Sequence, residues 1–207
     1  GSCVQECPVH VEHVPKVLQM RRHLVMEESR LPQTLQTALK SLEDRAHPYK
    51  GVSGDRTEWS RGLDVVHATS GEDYDVLYWT GCTASFDPRS QKVARAVVQL
   101  LRMAGLRVAV LGNDEPCCGD PARRMGHEFL YDQFARTNVE LLQTINPKRI
   151  VTACPHCLNA LGNEYRQFGG DFDIVHHSQL LNELVASGQL RPQGLSTDKV
   201  TYHDPCY

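Results

Sequence analysis

Glu115-Pro116-Cys117-Cys118-Gly119-Asp120-Pro121 places two cysteines side by side in a stretch rich in proline and glycine. Neighbouring side chains on an extended segment point in opposite directions, so two adjacent cysteines that serve one site need a sharply bent backbone. Pro116, Gly119 and Pro121 favour such a bend, because proline fixes φ and glycine permits positive φ. We therefore interpret this stretch as a loop that presents two thiolates to a common ligand.

The other cysteines are spaced almost evenly on both sides of this pair. Cys82 precedes it with 34 residues between, and Cys154-Pro155-His156-Cys157 follows it with 35 residues between. One strand–helix unit of an α/β protein takes about 30 residues or more. Each gap therefore corresponds to one such unit, and the pattern predicts one cysteine group per unit.

Short apolar runs alternate with amphipathic helical stretches from residue 74 onward. This alternation predicts an α/β fold, in which Rossmann-like βα units build a parallel sheet behind a mostly helical N-terminal segment. We predict strands at residues 76–79, 107–111, 149–152, 173–175 and 199–202. Helices are predicted at residues 88–104, 125–145, 154–168 and from Ser178, after earlier helices at residues 15–29 and 32–45. The buried face of the helix at 88–104 is predicted to consist of Val93, Val97, Leu100, Leu101 and Ala104.

Each cysteine group of the α/β region follows a predicted strand. The carboxyl ends of parallel strands face one crevice, which is the usual ligand position in such sheets. We therefore expect five side chains to converge there, namely Cys82, Cys117, Cys118, Cys154 and Cys157. Free N–H groups at the start of the predicted helix after Cys154 favour thiolates.

Three kinds of chemistry explain eight cysteines in one chain: disulfides, structural zinc and iron–sulfur ligation. Disulfide scaffolds suit small secreted domains, whereas 207 residues with 41% hydrophobic content are enough for a real core. Tetrahedral zinc and a cubane cluster each take four protein ligands, and the predicted site offers five. The spacing therefore favours iron–sulfur ligation of a less regular kind, and zinc remains the alternative.

Cys3 and Cys7-Pro8 match the second half of the bacterial ferredoxin run C-x2-C-x2-C-x3-C-P. In the alternative interpretation Gly1-Ser2 is a cloning remnant and the two cysteines are ordinary residues. If the match holds, the chain divides into four segments. These are half of a ferredoxin-type module with helices (1–45), a connector in which Trp59 packs on a neighbour (46–72), a cysteine-rich domain (73–198), and the start of another (199–207).

Composition limits the partners of the protein. A net charge of −3 gives no reason to expect nucleic acid. No apolar run approaches the roughly 20 residues that span a bilayer, and no G-x-G-x-x-G fingerprint follows a predicted strand.

Three further groups of residues have two possible interpretations each. His156 either donates to a cluster sulfur or is simply exposed, Arg123 and Arg124 either offset cluster charge or lie on a helix surface, and His176-His177 more commonly caps a helix than forms a site.

The full pattern, Cys-x34-Cys-Cys-x35-Cys-x2-Cys, resembles the cysteine-rich CCG domain of heterodisulfide reductase and its relatives. Those relatives include the iron–sulfur subunits of glycolate and lactate oxidation and of anaerobic glycerol-phosphate dehydrogenase. Four segments, at residues 119–124, 154–157, 176–177 and 203–206, are most similar to the fused, membrane-linked members. Some of these resemble electron-transfer-flavoprotein:quinone oxidoreductases.

The resemblance implies a noncubane [4Fe-4S] cluster on the five converging cysteines and a cubane [4Fe-4S] cluster in the N-terminal module that contains Cys3 and Cys7. Cys206 stands where the first cysteine of a second CCG module is expected. The implied function is an iron–sulfur electron-transfer component of an oxidoreductase, which works with a flavoprotein or a membrane quinone-reducing domain at the cytoplasmic face of the membrane. It passes electrons to a quinone, a disulfide or a protein. The alternative is a zinc-stabilised binding module without redox activity.

Overall fold

A computed structural model describes residues 2–49, 55–194 and 198–201, with the side chains of Ser2 and Cys3 left out. In these residues five strands form one parallel sheet in the order β1-β3-β2-β4-β5. The strands are β1 (Val66–His67), β2 (Val76–Trp79), β3 (Val108–Val110), β4 (Ile150–Thr152) and β5 (Ile174–His176). The predicted α/β class and its parallel sheet are confirmed.

Helices precede the sheet and connect its strands. The N-terminal segment contains α1 (Ser2–Gln5), α2 (Val14–Arg22), a π-helical turn (His23–Glu27) and α3 (Gln33–Arg45). The sheet region contains α4 (Gly81–Phe86), α5 (Pro88–Met103), α6 (Asp120–Met125), α7 (Glu128–Ile145), α8 (Pro155–Gly162) and α9 (His177–Ala186). Short 3₁₀ turns lie at Glu58–Ser60, Gly112–Asp114 and Glu164–Phe168.

The three central strands are buried on both faces because helices cover the sheet from both sides. Alternate residues of β2 enter separate apolar clusters. Leu77 and Trp79 pack with α3, α7 and α8, whereas Val76 and Tyr78 pack with α5 and α9. The cysteine loops join the first of these clusters, so the site grows out of one face of the core.

The predicted connector at residues 46–72 contributes to the sheet. Its two-residue strand β1 pairs with β3, with Val66 opposite Ala109. Two residues are too few for a periodic pattern, so no strand could be predicted there. The predicted packing of Trp59 is confirmed, since its ring lies 5.8 Å from that of Tyr78 and the residue is buried.

The buried face of α5 differs from the predicted one. Val93 and Leu100 are 45% and 37% exposed, so their predicted burial is wrong. Ala94 and Val98 are buried instead, together with the correctly predicted Val97 and Leu101. Ala94 is small enough for the helix to approach the sheet closely, whereas a prediction from apolar periodicity favours the larger Val93.

Several helix boundaries also differ from the predictions. The helix predicted at residues 125–145 begins at Glu128 instead, as α7. The preceding helix α6 ends at Met125, because Gly126 has a φ of 95°. The residue that caps α9 is His176, through a capping box with Gln179, rather than Ser178. Residues 199–201 have no strand assignment, and Tyr202 lies outside the described residues.

The N-terminal segment packs against α6 and the start of α7. Arg21 donates to the carbonyl oxygen of Arg124 at 2.8 Å, and Arg22 forms an ion pair with Glu128 at 2.9 Å. A Cβ atom at Gly126 would lie only 2.6 Å from the carbonyl carbon and oxygen of Arg21. The absence of a side chain at Gly126 therefore permits this contact.

We expect Gly126→Ala to release α2 from the rest of the protein. Gly105→Ala is a matched control, because Gly105 also has a positive φ of 86° but no atom near its added Cβ. Positive φ costs a non-glycine residue about 1–3 kcal/mol at either position, and only Gly126→Ala adds a backbone clash. Hydrogen exchange should therefore accelerate in α2 for Gly126→Ala alone. Equal exchange in both variants would contradict the close packing.

Candidate functional site

The loop between β3 and α6 bends as its sequence predicts. Gly119 has φ of 80°, and its N–H group donates to the Cys117 sulfur at 3.4 Å. A Cβ at Gly119 would lie 3.0 Å from the Tyr131 ring, so the loop is pressed against α7. Cys117 and Cys118 are thereby fixed in the core with 1% and 4% of their surface exposed.

The structure brings together the five cysteines that were predicted to converge. Their thiols interact in a continuous series, which we call the thiol cluster: Cys82, Cys117, Cys118, Cys157 and Cys154. The Cys118 and Cys157 sulfur atoms are 3.5 Å apart. Cys82 lies in α4 after β2, and Cys154 lies at the start of α8 after β4. Three strand–helix junctions therefore supply one group of sulfur atoms.

Hydrogen bonding divides the thiol cluster into proton donors and acceptors. Bonds from Cys117 and Cys157 lower the pKa of Cys118 to about 6. A bond from Cys157 and nearby backbone N–H groups lower the pKa of Cys154 to about 6. Donation to neighbouring sulfurs, together with burial, raises the pKa of Cys82, Cys117 and Cys157 well above the usual value. Thiolate character is thus concentrated at Cys118 and Cys154.

Glu115 joins the two loops that carry the first three cysteines. Its carboxylate accepts hydrogen bonds from the backbone N–H groups of Thr80 and Gly81, both at 2.7 Å, and pairs with Arg56 at 3.2 Å. Burial raises the pKa of Glu115, while Arg56 and the two N–H groups act against that rise. This carboxylate therefore fixes the backbone just before Cys82.

Two side chains support the adjacent cysteines from behind. Asn138 donates to the carbonyl oxygen of Cys117 at 2.9 Å, and Tyr165 donates to that of Cys118 at 2.9 Å. Asn138 also donates to the Tyr165 hydroxyl at 2.8 Å. Both side chains are fully buried, so they satisfy carbonyl groups that the loop removes from water.

His156 belongs to an ion-pair network beside the thiol cluster. Its Nδ1 lies 2.8 Å from Oδ2 of Asp120, and that hydrogen bond raises the pKa of the imidazole. Asp120 also pairs with Arg124 at 2.9 Å, and Glu164 pairs with both Arg123 and Arg124. The two arginines therefore neutralise carboxylates next to the cluster instead of forming a bare helix surface.

His176 and His177 adopt the capping and packing role that the sequence favours. His176 caps α9 and lies 3.3 Å from the Ala153 carbonyl oxygen through Nε2. The ring of His177 packs 4.3 Å from that of His176. We assign neither histidine to the thiol cluster.

An aromatic rim closes the side of the thiol cluster near Cys82. His47 packs on Phe86 with ring centroids 4.4 Å apart, and the Tyr49 hydroxyl lies 2.7 Å from Oγ1 of Thr83. Burial raises the pKa of Tyr49, and charges at Cys82 and Cys154 add to the rise. A pocket of about 290 Å³ opens between the ends of β2 and β4, and its lining includes Cys154. The thiol cluster is thus accessible from one side.

The donor chemistry of the thiol cluster fits an iron–sulfur cluster. All five donors are thiols, and iron–sulfur clusters are held by thiolates. A Cβ at Gly81 would lie 3.3 Å from the Cys157 sulfur, so glycine leaves the space that this sulfur needs. In the described part of the chain no cysteine forms a disulfide. No three His, Cys, Asp or Glu side chains among these residues are placed so that they could hold a single metal ion.

The remaining predicted ligands lie outside this site or outside the described residues. Cys7 follows α1 and is half-buried with a free thiol. The side chain of Cys3 and the whole of Cys206 fall outside the described residues. No sequence pattern pointed to Arg56, Asn138 or Tyr165 as part of the site. Glu115 lies beside the cysteine pair in the sequence, but that motif gives no sign that its carboxylate binds the backbone N–H groups of Thr80 and Gly81.

Comparisons with known proteins agree with the geometry. Residues 76–162 match the family described as the cysteine-rich domain, CCG. Over its whole length the chain is 38% identical to an EtfAB:quinone oxidoreductase of Syntrophomonas wolfei, of which it covers 30%. It is 38% identical to a probable membrane-anchored ferredoxin of Chromohalobacter salexigens, covering 31% of it.

A third relative is a component of a heterodisulfide reductase. The chain is 30% identical to a polypeptide of the dihydromethanophenazine:CoB–CoM heterodisulfide reductase of Methanosarcina barkeri, and it covers 51% of that polypeptide. The chain therefore spans between 30% and 51% of the length of these curated relatives. No solved structure matches it. None of the helices within the described residues has the length and apolar character needed to span a membrane.

Proposed function

We propose that the chain is the iron–sulfur electron-transfer component of an oxidoreductase related to heterodisulfide reductase, because residues 76–162 match the CCG cysteine-rich domain family. The observation that carries this proposal is the thiol cluster, in which five buried or half-buried cysteines from three strand–helix junctions contact one another. An iron–sulfur cluster bound there would accept and release single electrons.

The proposed ligands are the five cysteines of the thiol cluster, and the proposed cofactor is a noncubane [4Fe-4S] cluster. In this scheme Cys3 and Cys7 are ligands in a ferredoxin-type module at residues 1–45 with cubane clusters, where Cys7, the cysteine before Pro8, ligates a different cluster from Cys3. Residues 46–72 connect that module to the domain at residues 73–198, and Cys206 belongs to a second cysteine-rich module. The chain's own residues hold the sulfurs in place, through Glu115 and through Asn138 and Tyr165, which bind the carbonyl groups of the loop. The fold also excludes water from the three buried cysteines of the thiol cluster.

The packing of the N-terminal segment supports a relay. Arg21 and Arg22 fix α2 against α6 and α7, and α6 begins directly after the Cys117-Cys118-Gly119 turn. A ferredoxin-type module held at this position would lie beside the helix that leads out of the thiol cluster. Electrons would then pass between two clusters within one chain.

The proposed electron donor is a flavoprotein, and the proposed acceptor is a quinone, a disulfide or a protein at the cytoplasmic face of a membrane. The names of the relatives support this choice, since one is an EtfAB:quinone oxidoreductase and another a probable membrane-anchored ferredoxin. Two single-electron transfers, with two protons from solvent, convert one quinone to its quinol.

Rapid mixing of the full-length protein tests the relay. We expect a reduced electron-transferring flavoprotein to reduce the clusters and a quinone to reoxidise them, both followed by the visible absorbance of the clusters. A second candidate, direct reduction of a small disulfide, is favoured by the pocket beside Cys154, which gives access to one side of the thiol cluster. Reoxidation by a small disulfide but not by quinone would replace the relay with this second function.

A further inference from the structure

Arg56 is a buried arginine beside the thiol cluster, and two of its donor groups have no partner in the part of the chain that the structure describes. Only 9% of its side chain is exposed. Its Nη2 group donates to Oε1 of Glu115 at 3.2 Å, whereas Nε and Nη1 are buried and have no hydrogen-bond partner among the described residues. A buried polar group left unpaired destabilises a protein, and more so when it is charged. These donors therefore need an acceptor that the described residues do not supply.

The ion pair with Glu115 satisfies only one of the three nitrogen groups of the Arg56 guanidinium. Arginine usually binds a carboxylate through two parallel N–H groups, but here only Nη2 donates to Glu115. The two oxygens of Glu115 already accept from the N–H groups of Thr80 and Gly81. Glu115 therefore leaves the Nε and Nη1 groups of Arg56 without an acceptor.

The surroundings of Arg56 fix it next to Cys82. Its Cζ atom lies 5.5 Å from the ring centroid of Phe86, at the end of the helix that carries Cys82. Its backbone N–H donates to Oδ1 of Asn113 at 3.0 Å. The Cys117 thiol and burial raise the pKa of Cys82, and the positive charge of Arg56 acts against that rise. The guanidinium group is therefore within electrostatic reach of the cluster sulfurs.

We propose that Arg56 donates a hydrogen bond from one of its two unpaired groups, Nε or Nη1, to a sulfur of the group bound by the thiol cluster, and that it thereby raises the reduction potential of that group. The inference rests on the proposed iron–sulfur site. Five thiolates and bound sulfide carry a large negative charge, and hydrogen bonds to the sulfurs together with net charge set cluster potentials. Arginine remains charged when buried, so it favours the reduced state, which holds one more electron.

A redox titration of the reconstituted 207-residue protein, with dithionite as the source of electrons and electron paramagnetic resonance as the readout, tests this role. We expect Arg56→Met to lower the equilibrium constant for one-electron reduction about tenfold, or about 59 mV. Arg56→Lys keeps the charge and should lose less than half of this. Arg95→Met is the control, because Arg95 is a half-buried arginine that donates to the backbone carbonyls of Trp59 and Arg61, away from the thiol cluster.

A double variant separates hydrogen bonding from net charge. Arg56→Met combined with Glu115→Gln removes one charge of each sign, so the net charge of the site is unchanged. The lowered potential should persist in this variant if a donor of Arg56 contacts a sulfur. A return to the wild-type potential would mean that Arg56 acts only as the counterion of Glu115, which would overturn the proposal.

Nitrogen labelling tests the contact directly in the wild-type protein, and the two variants assign the signal. Protein that contains guanidino-¹⁵N-arginine should show ¹⁵N hyperfine coupling to the reduced cluster, and the coupling should be absent from Arg56→Met but present in Arg95→Met. A wild-type cluster without this coupling would refute the role of Arg56 and leave the iron–sulfur proposal intact. Wild-type protein that binds no cluster would instead refute the proposed function itself.

Discussion

Cys118→Ser is expected to remove or convert the iron–sulfur cluster of the cysteine-rich domain. Cys118 is central to the thiol cluster, because hydrogen bonds link it to both Cys117 and Cys157 and lower its pKa to about 6. A serine hydroxyl at this position is a poorer ligand than a thiolate. Changing a group that merely supports a ligand costs about 10–100-fold in metal affinity, so loss of the ligand itself should cost at least as much. Iron and acid-labile sulfide in anaerobically prepared protein provide the measurement.

Cys206→Ser is the matched control for this variant in the 207-residue protein. Cys206 comes later in the sequence than every cysteine of the thiol cluster, and it is assigned to a separate module. Its replacement should therefore leave the spectrum of the iron–sulfur cluster at the thiol cluster unchanged. Loss of that cluster in Cys206→Ser would contradict the division into modules. Stoichiometric zinc without sulfide in the wild-type protein would support the zinc-stabilised alternative.

The sequence was sufficient to predict the fold class and the convergence of the five cysteines. Both predictions depend on local patterns that repeat along the chain, namely apolar strands and cysteines placed just after them. The strand at Val76–Trp79 was predicted without error because all four residues are apolar and buried. Parallel topology then places the three strand ends at one edge of the sheet, so cysteines far apart in sequence come together.

The residues that hold the site in place could not be predicted from such patterns. Arg56 reaches Glu115 from a distant segment without periodicity, and long-range pairing of this kind leaves no local signal. The buried face of α5 was misplaced for a related reason. Its helical period is compatible with two adjacent stripes, and only the distance between helix and sheet selects the one with the smaller Ala94.

Glu115→Ala should destabilise the cluster-free protein by about 3–5 kcal/mol, which is the usual cost of removing one partner from a buried ion pair. The truncation leaves the Arg56 guanidinium without its carboxylate and leaves the N–H groups of Thr80 and Gly81 without an acceptor. All of these groups are buried, so water cannot replace the lost oxygens. Urea unfolding under anaerobic, reducing conditions, with no cluster bound, measures the free energy of unfolding directly.

Asp173→Ala provides the comparison, because Asp173 forms its ion pair with Arg149 at a site where the two side chains are 50% and 36% exposed. Such pairs are worth about 0–1 kcal/mol, so this variant should remain close to the wild type. Adding Arg56→Met to Glu115→Ala removes the unpaired buried charge, and the double variant should be less destabilised than the sum of the single ones by about 0.5–3 kcal/mol. Additive losses, or a loss below about 1 kcal/mol for Glu115→Ala, would mean that the carboxylate does not hold the two loops together. The cysteines in α4 and after β3 would then be positioned by their apolar packing alone.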